Sequence, residues 1–253
     1  MVFPLYRRHR FDGATTNLFA YPLISALCGS SIRQPIGGDC GLGRDLIHLA
    51  LKTPVPTAAR GYGIDIFLTA LALGSGLPVT QVPLGRKPSH PRRHLIFTQV
   101  AAALLDTLRH LKVPGAWRPN GGGSKPDRSA SIDDAAHTPV KPDTKQRADE
   151  ARRELSACLP SNDWADPGVI QSLAQGELLS AELWAELLAC WISTGLADGS
   201  ICALEHSRQL LPLYFLRMDA FWLEIDGLDP AAVEDRVSGF VQLLSKTLGT
   251  LIK

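Results

Sequence analysis

The chain has 253 residues, with 26 Lys or Arg against 25 Asp or Glu, for a formal net charge of +1. So even a balance gives no bulk electrostatic pull toward nucleic acid or an anionic membrane, and no run of about 18 apolar residues offers a membrane span. At 45% hydrophobic and 20% charged side chains, the composition is that of a globular chain able to bury a core.

The first stretch, PLYRRHRFDG (4–13), is basic and aromatic. Arg7, Arg8 and Arg10 either hold a phosphate or carboxylate, or form a solvated arm. Thr15 or Thr16 is a candidate N-cap for a helix reaching residue 27, with Pro22 implying a kink or a late start. Residues 32–36 read as a short extended segment. Gly37 and Gly38 then force a turn, Asp39 follows, and a helix is expected over 42–51. Asp39 has two readings, as a cap favoured by the helix dipole or as an acid at a pocket rim that the glycines open to a ligand.

After Pro54 and Pro56, apolar spacing predicts a helix over 64–73 with Asp65 in its first turn. Residues 79–84 alternate and predict a strand. Strand and helix followed by helix and strand suggest an α/β layer arrangement. His90 sits in the basic loop GRKPSHPRR, where it is either solvated or a ligand, and an amphipathic helix is expected over 95–111. Residues 113–150, rich in Pro and Gly, read as a linker. Residues 151–253 read as all helical, with helices over 180–194, 212–225 and 230–252. The five cysteines (Cys28, Cys40, Cys158, Cys190 and Cys202) form no CxxC pair. They read as free buried thiols in a reducing, cytoplasmic setting, with no leader segment expected. No P-loop, GxGxxG after a strand, GxSxG or HExxH is present.

Several blocks in order carry a resemblance: YRRHRFDG (6–13) and TTN (15–17), YPLISALCG (21–29), RQPIGGDCGL (33–42), YGIDIFLTALALGSGLPVTQVPLGRK (62–87), FTQVAAALLDTL (97–108) and LLPLYFLRMDAFWLEI (210–225). Together they resemble retaining glycosyltransferases of the GT-A type, close to the glucosylglycerate and mannosylglycerate synthases. The resemblance implies transfer of a hexose from a nucleotide-diphosphate sugar to a small acidic acceptor such as glycerate. It implies a divalent metal, Mg or Mn, with His90 as a ligand and His94 as a weaker candidate, and Asp65 as the catalytic carboxylate, orienting hydroxyls or stabilising positive charge at the anomeric carbon. Gly37, Gly38 and Asp39 would line the acceptor side, and Arg7, Arg8 and Arg10 would hold the acceptor's charge.

Such enzymes also carry a nucleotide-binding half with a DxD motif. No DxD occurs here, so that half is expected to be missing. The expected organisation is an acceptor-side part of a GT-A catalytic domain over 1–112, a linker over 113–150, and a helical C-terminal region over 151–253. The expected partners are a homo-oligomeric copy or a separate nucleotide-binding half. The alternative is a non-catalytic remnant or accessory protein with the same partial fold.

Overall fold

A computed structural model describes residues 1–87, 95–111, 132–133, 144–158 and 164–251. The described residues are mostly helical with one two-stranded parallel sheet, which is α/β in the coarse sense. The expected strand is present as β2 (Thr80–Arg86), and its partner is β1 (Val2–Arg7). β1 overlaps the start of the stretch read as a basic arm. Its charges begin only at Arg7, while Phe3 and Leu5 are buried in the core. The register slips between Leu5 and Tyr6.

Residues 32–36, expected to be extended, form no strand. Glutamine side chains take the place of a ladder there. The Tyr6 amide donates to Gln34 Oε1 at 3.3 Å, and Gln34 Nε2 donates to the Tyr6 carbonyl at 2.6 Å. The Arg33 amide donates to Gln81 Oε1 at 2.7 Å, and Gln81 Nε2 donates to the Ser31 carbonyl at 3.2 Å. Each primary amide presents the same donor and acceptor pair as a peptide group, so the loop is fastened to both strands by side chains.

A π-helical turn, Thr16–Ala20, runs into α1 (Tyr21–Cys28), which starts with Pro22 in its first turn and ends at Gly29 with φ 61°. Thr15 is not a cap. Its backbone is helical, and its hydroxyl is 3.0 Å from the Tyr214 hydroxyl. α2 (Arg44–Lys52), α3 (Ile64–Gly74) and α4 (Leu95–His110) lie close to the expected spans.

The C-terminal helices are α5 (Thr144–Cys158), α6 (Pro167–Ala174), α7 (Ala181–Ala197), α8 (Ala203–Gln209), α9 (Leu211–Glu224) and α10 (Pro230–Leu251). Asp166 and Ser180 cap α6 and α7 through side-chain oxygens. α5 begins inside the stretch read as a linker. In that same stretch, buried Ile132 forms a parallel bridge with Arg8.

One core joins the N-terminal and C-terminal parts. Phe97 stacks on Tyr214 at 3.9 Å, and Phe19 meets Phe97 and Trp191 edge-on. Buried Trp184 donates its indole N–H to the Leu18 carbonyl at 2.9 Å. Large side chains buried in this way stabilise by about 1.5–3 kcal/mol each. The guanidinium of Arg109 ties α4 to the end of α7 by donating to the carbonyls of Gly195, Asp198 and Ile201. The α1–α4 layer therefore sits on a fixed helical base.

The cysteine expectation holds only in part. Cys28, Cys40, Cys190 and Cys202 are free, but Cys28 and Cys190 are only half-buried and Cys40 and Cys202 are exposed. No helix among the described residues is long and apolar enough to cross a membrane.

Candidate functional site

The site forms where β1, β2, the loop after α1 and the start of α3 meet. The turn at Gly37 and Gly38 is its centre. Gly38 has φ 87°, a left-handed conformation suited to glycine. A Cβ on Gly37 would stand 3.0 Å from the Pro4 ring of β1, so the turn presses on the strand. From this turn the Gly38 amide donates to Asp65 Oδ2 at 3.1 Å. Asp65 is placed by the first turn of α3, and its hydrogen bond crosses to the loop rather than capping its own helix.

Asp39 does not cap α2, whose N-cap is Gly43 and whose first-turn acid is Asp45. Its carboxylate turns back to β1 and accepts from the Tyr6 hydroxyl at 2.9 Å. Lys87, just past β2, completes the group. Its ammonium donates to the Gly37 carbonyl at 2.5 Å, lies 4.0 Å from Asp39 Oδ2, and sits 4.8 Å over the Tyr6 ring.

The electrostatics follow from this crowding. Burial raises the Asp65 pKa from its ordinary value; the Gly38 amide opposes the shift, nearby Asp39 adds to it, and Lys87 opposes it. Burial lowers the Lys87 pKa, with Arg8 adding to the effect while Asp39, Asp12 and Asp65 oppose it. The hydrogen bond to Asp39 is the main cause of a raised Tyr6 pKa.

A second group adjoins the first through Gln34. A pocket of about 210 Å³, counting its mouth, is lined by Arg8, Asp12, Thr16, Asn17, Arg33 and Gln34, among others. Burial lowers the Arg8 pKa, Asp12 opposes the shift, and Arg33 adds to it. Arg8 Nε is buried without a hydrogen-bond partner among the described residues. Arg33 is 6% exposed, lies 4.8 Å over the Tyr21 ring, and donates from Nε and Nη2 to Glu234 of α10 at 3.0 and 3.3 Å.

The structure therefore brings Gly37, Gly38, Asp39 and Asp65 together and sets Arg8 beside them. Arg7 is exposed and lies 3.7 Å from Asp133, which Arg86 also holds at 2.9 Å. Arg10 is elsewhere, donating to the Ile225 and Leu228 carbonyls beyond the end of α9. His90 and His94 lie outside the described residues. Among those residues, no group of three or more His, Cys, Asp or Glu is arranged to hold a metal. Asp39 and Asp65 come nearest to that role, but one accepts from Tyr6, the other from Gly38, and a lysine ammonium already stands beside them. The described residues by themselves do not fit a metal.

Tyr6, Lys87, Arg33, Gln34 and Glu234 were not singled out by the sequence reading. Arg33 carried a usable signal, as the lone charge in residues 14–38, four residues before a glycine pair. Glu234, 201 residues away, carried none.

Comparisons with protein-family models, with curated proteins and with solved structures gave no match.

Proposed function

We propose that the chain is a glycosyltransferase that moves a hexose from a nucleotide-diphosphate sugar to a small acidic acceptor such as glycerate. The observation that carries this reading is the joining of two groups over one short surface. One is a carboxylate, Asp65, made more basic by burial. The other is the pocket lined by Arg8 and Arg33, and Lys87 is electrostatically coupled to Asp65, Asp39, Asp12 and Arg8 together.

In this reading the Arg8 pocket takes the acceptor's carboxylate and Asp65 orients the acceptor hydroxyl. The hydroxyl oxygen bonds to the anomeric carbon while the bond to the diphosphate breaks, and the diphosphate leaves with the electron pair. Asp65 is the nearby base for the hydroxyl proton, and a carboxylate beside a carbon gaining positive charge also stabilises it. Gly37 and Gly38 keep the backbone close to the acceptor, and Asp39 with Tyr6 closes that wall.

The proposal includes the finer fold, the acceptor-side part of a GT-A domain. It also includes cytoplasmic placement, a divalent metal held with help from His90, and a second copy or a separate nucleotide-binding half as partner. No step above runs through the metal. The test is product formation from labelled nucleotide sugar, glycerate and magnesium, with the chain alone and with a nucleotide-binding half added. Absence of turnover in both mixtures overturns the proposal. Turnover that Asp65→Asn abolishes supports it.

A further inference from the structure

We propose that Lys87 is a positioning residue for Asp65 and acts on it through the peptide group between Gly37 and Gly38. Only the purpose of that arrangement rests on the glycosyltransferase reading; the arrangement itself does not.

The Lys87 ammonium donates to the Gly37 carbonyl at 2.5 Å, and the Gly38 amide donates to Asp65 Oδ2 at 3.1 Å. That carbonyl and that amide are the two ends of one planar trans peptide, and they point in opposite directions. A cation therefore stands at the acceptor end of the peptide and an anion at its donor end. Each bond is charge-assisted, and each polarises the group that makes the other.

Side-chain sterics do not hold this peptide. It has glycine on both sides, and glycine takes positive and negative φ about equally readily; Gly38 stands at φ 87°. Its orientation is therefore set by what meets its ends. Turned over, the peptide would aim its N–H at an ammonium, which only donates. Its carbonyl would face Asp65, which donates only when protonated. Charged Lys87 thus favours the orientation that suits an ionised Asp65 and opposes the pull of burial toward the neutral acid. A carboxylate kept ionised and aimed is what takes a hydroxyl proton at neutral pH.

Lys87 is itself held in place. Its backbone amide donates to the Arg7 carbonyl at 3.2 Å, its ammonium lies 4.8 Å over the Tyr6 ring, and Asp39 Oδ2 is 4.0 Å away. The other charged and titratable groups around the pair are Asp39, Cys40, Tyr6, Arg8 and Asp12.

The test is an NMR titration of the full chain that follows the Asp65 carboxyl carbon and the Gly38 amide between about pH 8 and about pH 3. In the wild type the amide proton is expected to move downfield as Asp65 ionises, with the same midpoint. In Lys87→Met the Asp65 midpoint is expected to rise and the Gly38 amide to lose most of its pH-dependent change. Lys87→Arg is expected to restore both. Asp65→Asn is expected to abolish the Gly38 change. In a chain that transfers sugar, the acidic limb of the pH profile moves to higher pH in Lys87→Met.

A Gly38 amide that does not follow Asp65, or that still titrates in Asp65→Asn, overturns the inference. So does a folded Lys87→Met chain in which only the Asp65 midpoint moves, since that is through-space attraction alone. If Lys87→Met does not fold, an alkaline titration of the wild type takes its place. The Gly38 amide must then move with the midpoint at which the Lys87 ammonium loses its charge, and an amide that does not overturns the inference. The coupled titration without sugar transfer overturns the enzymatic reading alone, and transfer without the coupled titration overturns the inference alone.

Discussion

Gly63, just before α3, and Ala103 of α4 lie so close that a methyl group on Gly63 would stand 1.9 Å from the Ala103 Cβ. The same methyl would come within 3.3 Å of the Ala58 carbonyl, so the glycine is walled in on two sides. This contact fixes where α3 starts, and with it Asp65 two residues later. Gly63→Ala is expected to destabilise the chain by about 1–3 kcal/mol, the usual range for overpacking a tight core. Chemical denaturation measures it, and adding Ala103→Gly is expected to recover most of the loss.

The raised pKa of Asp65 makes a signed prediction. A carboxyl that binds its proton more tightly when folded adds stability below the ordinary carboxylate range. That contribution is lost as pH rises through the folded value. At neutral pH the ionised Asp65 is therefore a liability. Asp65→Asn, whose side-chain oxygen can still accept from Gly38, is expected to melt higher than the wild type at pH 7. The difference is expected to close toward about pH 3. A higher melting temperature with lost transfer is the pattern of a group kept for activity.

Arg217 and Glu224 pair at 2.6 and 2.7 Å inside the C-terminal helices, where Arg217 is 2% exposed and also donates to the Leu179 carbonyl. Removing one partner leaves a charge without its counter-ion in the core. Glu224→Ala is expected to cost about 3–5 kcal/mol, and Arg217→Met/Glu224→Leu much less. Urea titration of both variants checks the contrast.

Cys40 is exposed, yet burial raises its thiol pKa, with Asp65 and Asp39 adding to the shift. Because the thiolate is the nucleophile, alkylation of Cys40 is expected to be slower than its exposure suggests. Asp39→Asn is expected to speed it. Site-resolved mass spectrometry after timed alkylation separates Cys40 from Cys202.

Much of the helical layout was legible because it rests on local periodicity, as in α3, α4, α7, α9 and α10. Asp39 and Asp65 were also legible, since isolated acids beside glycines in an apolar region stand out. β1 was not, because a six-residue strand ending in a run of charges looks like an arm until Phe3 and Leu5 are seen in the core. The role of Asp39 was half legible. Its neighbour in sequence is a helix, but its partner, Tyr6, is 33 residues back. Arg8 and Arg10 looked alike in sequence, yet one faces the pocket and the other the end of α9. Residues two apart share a face along a strand, but β1 ends at Arg7 and Arg10 already lies in a turn, so the two side chains go to different places.

The fastening of the loop by Gln34 and Gln81 has a further meaning for how such a site can change over generations. A strand must keep its alternating pattern along its whole length or lose its place in the sheet. A loop moored by two glutamine side chains carries no such obligation past the moorings. Exposed Cys40, which takes no part in them, can be exchanged while they hold. The wall of the candidate site can thus drift toward new chemistry without the sheet behind it being redesigned.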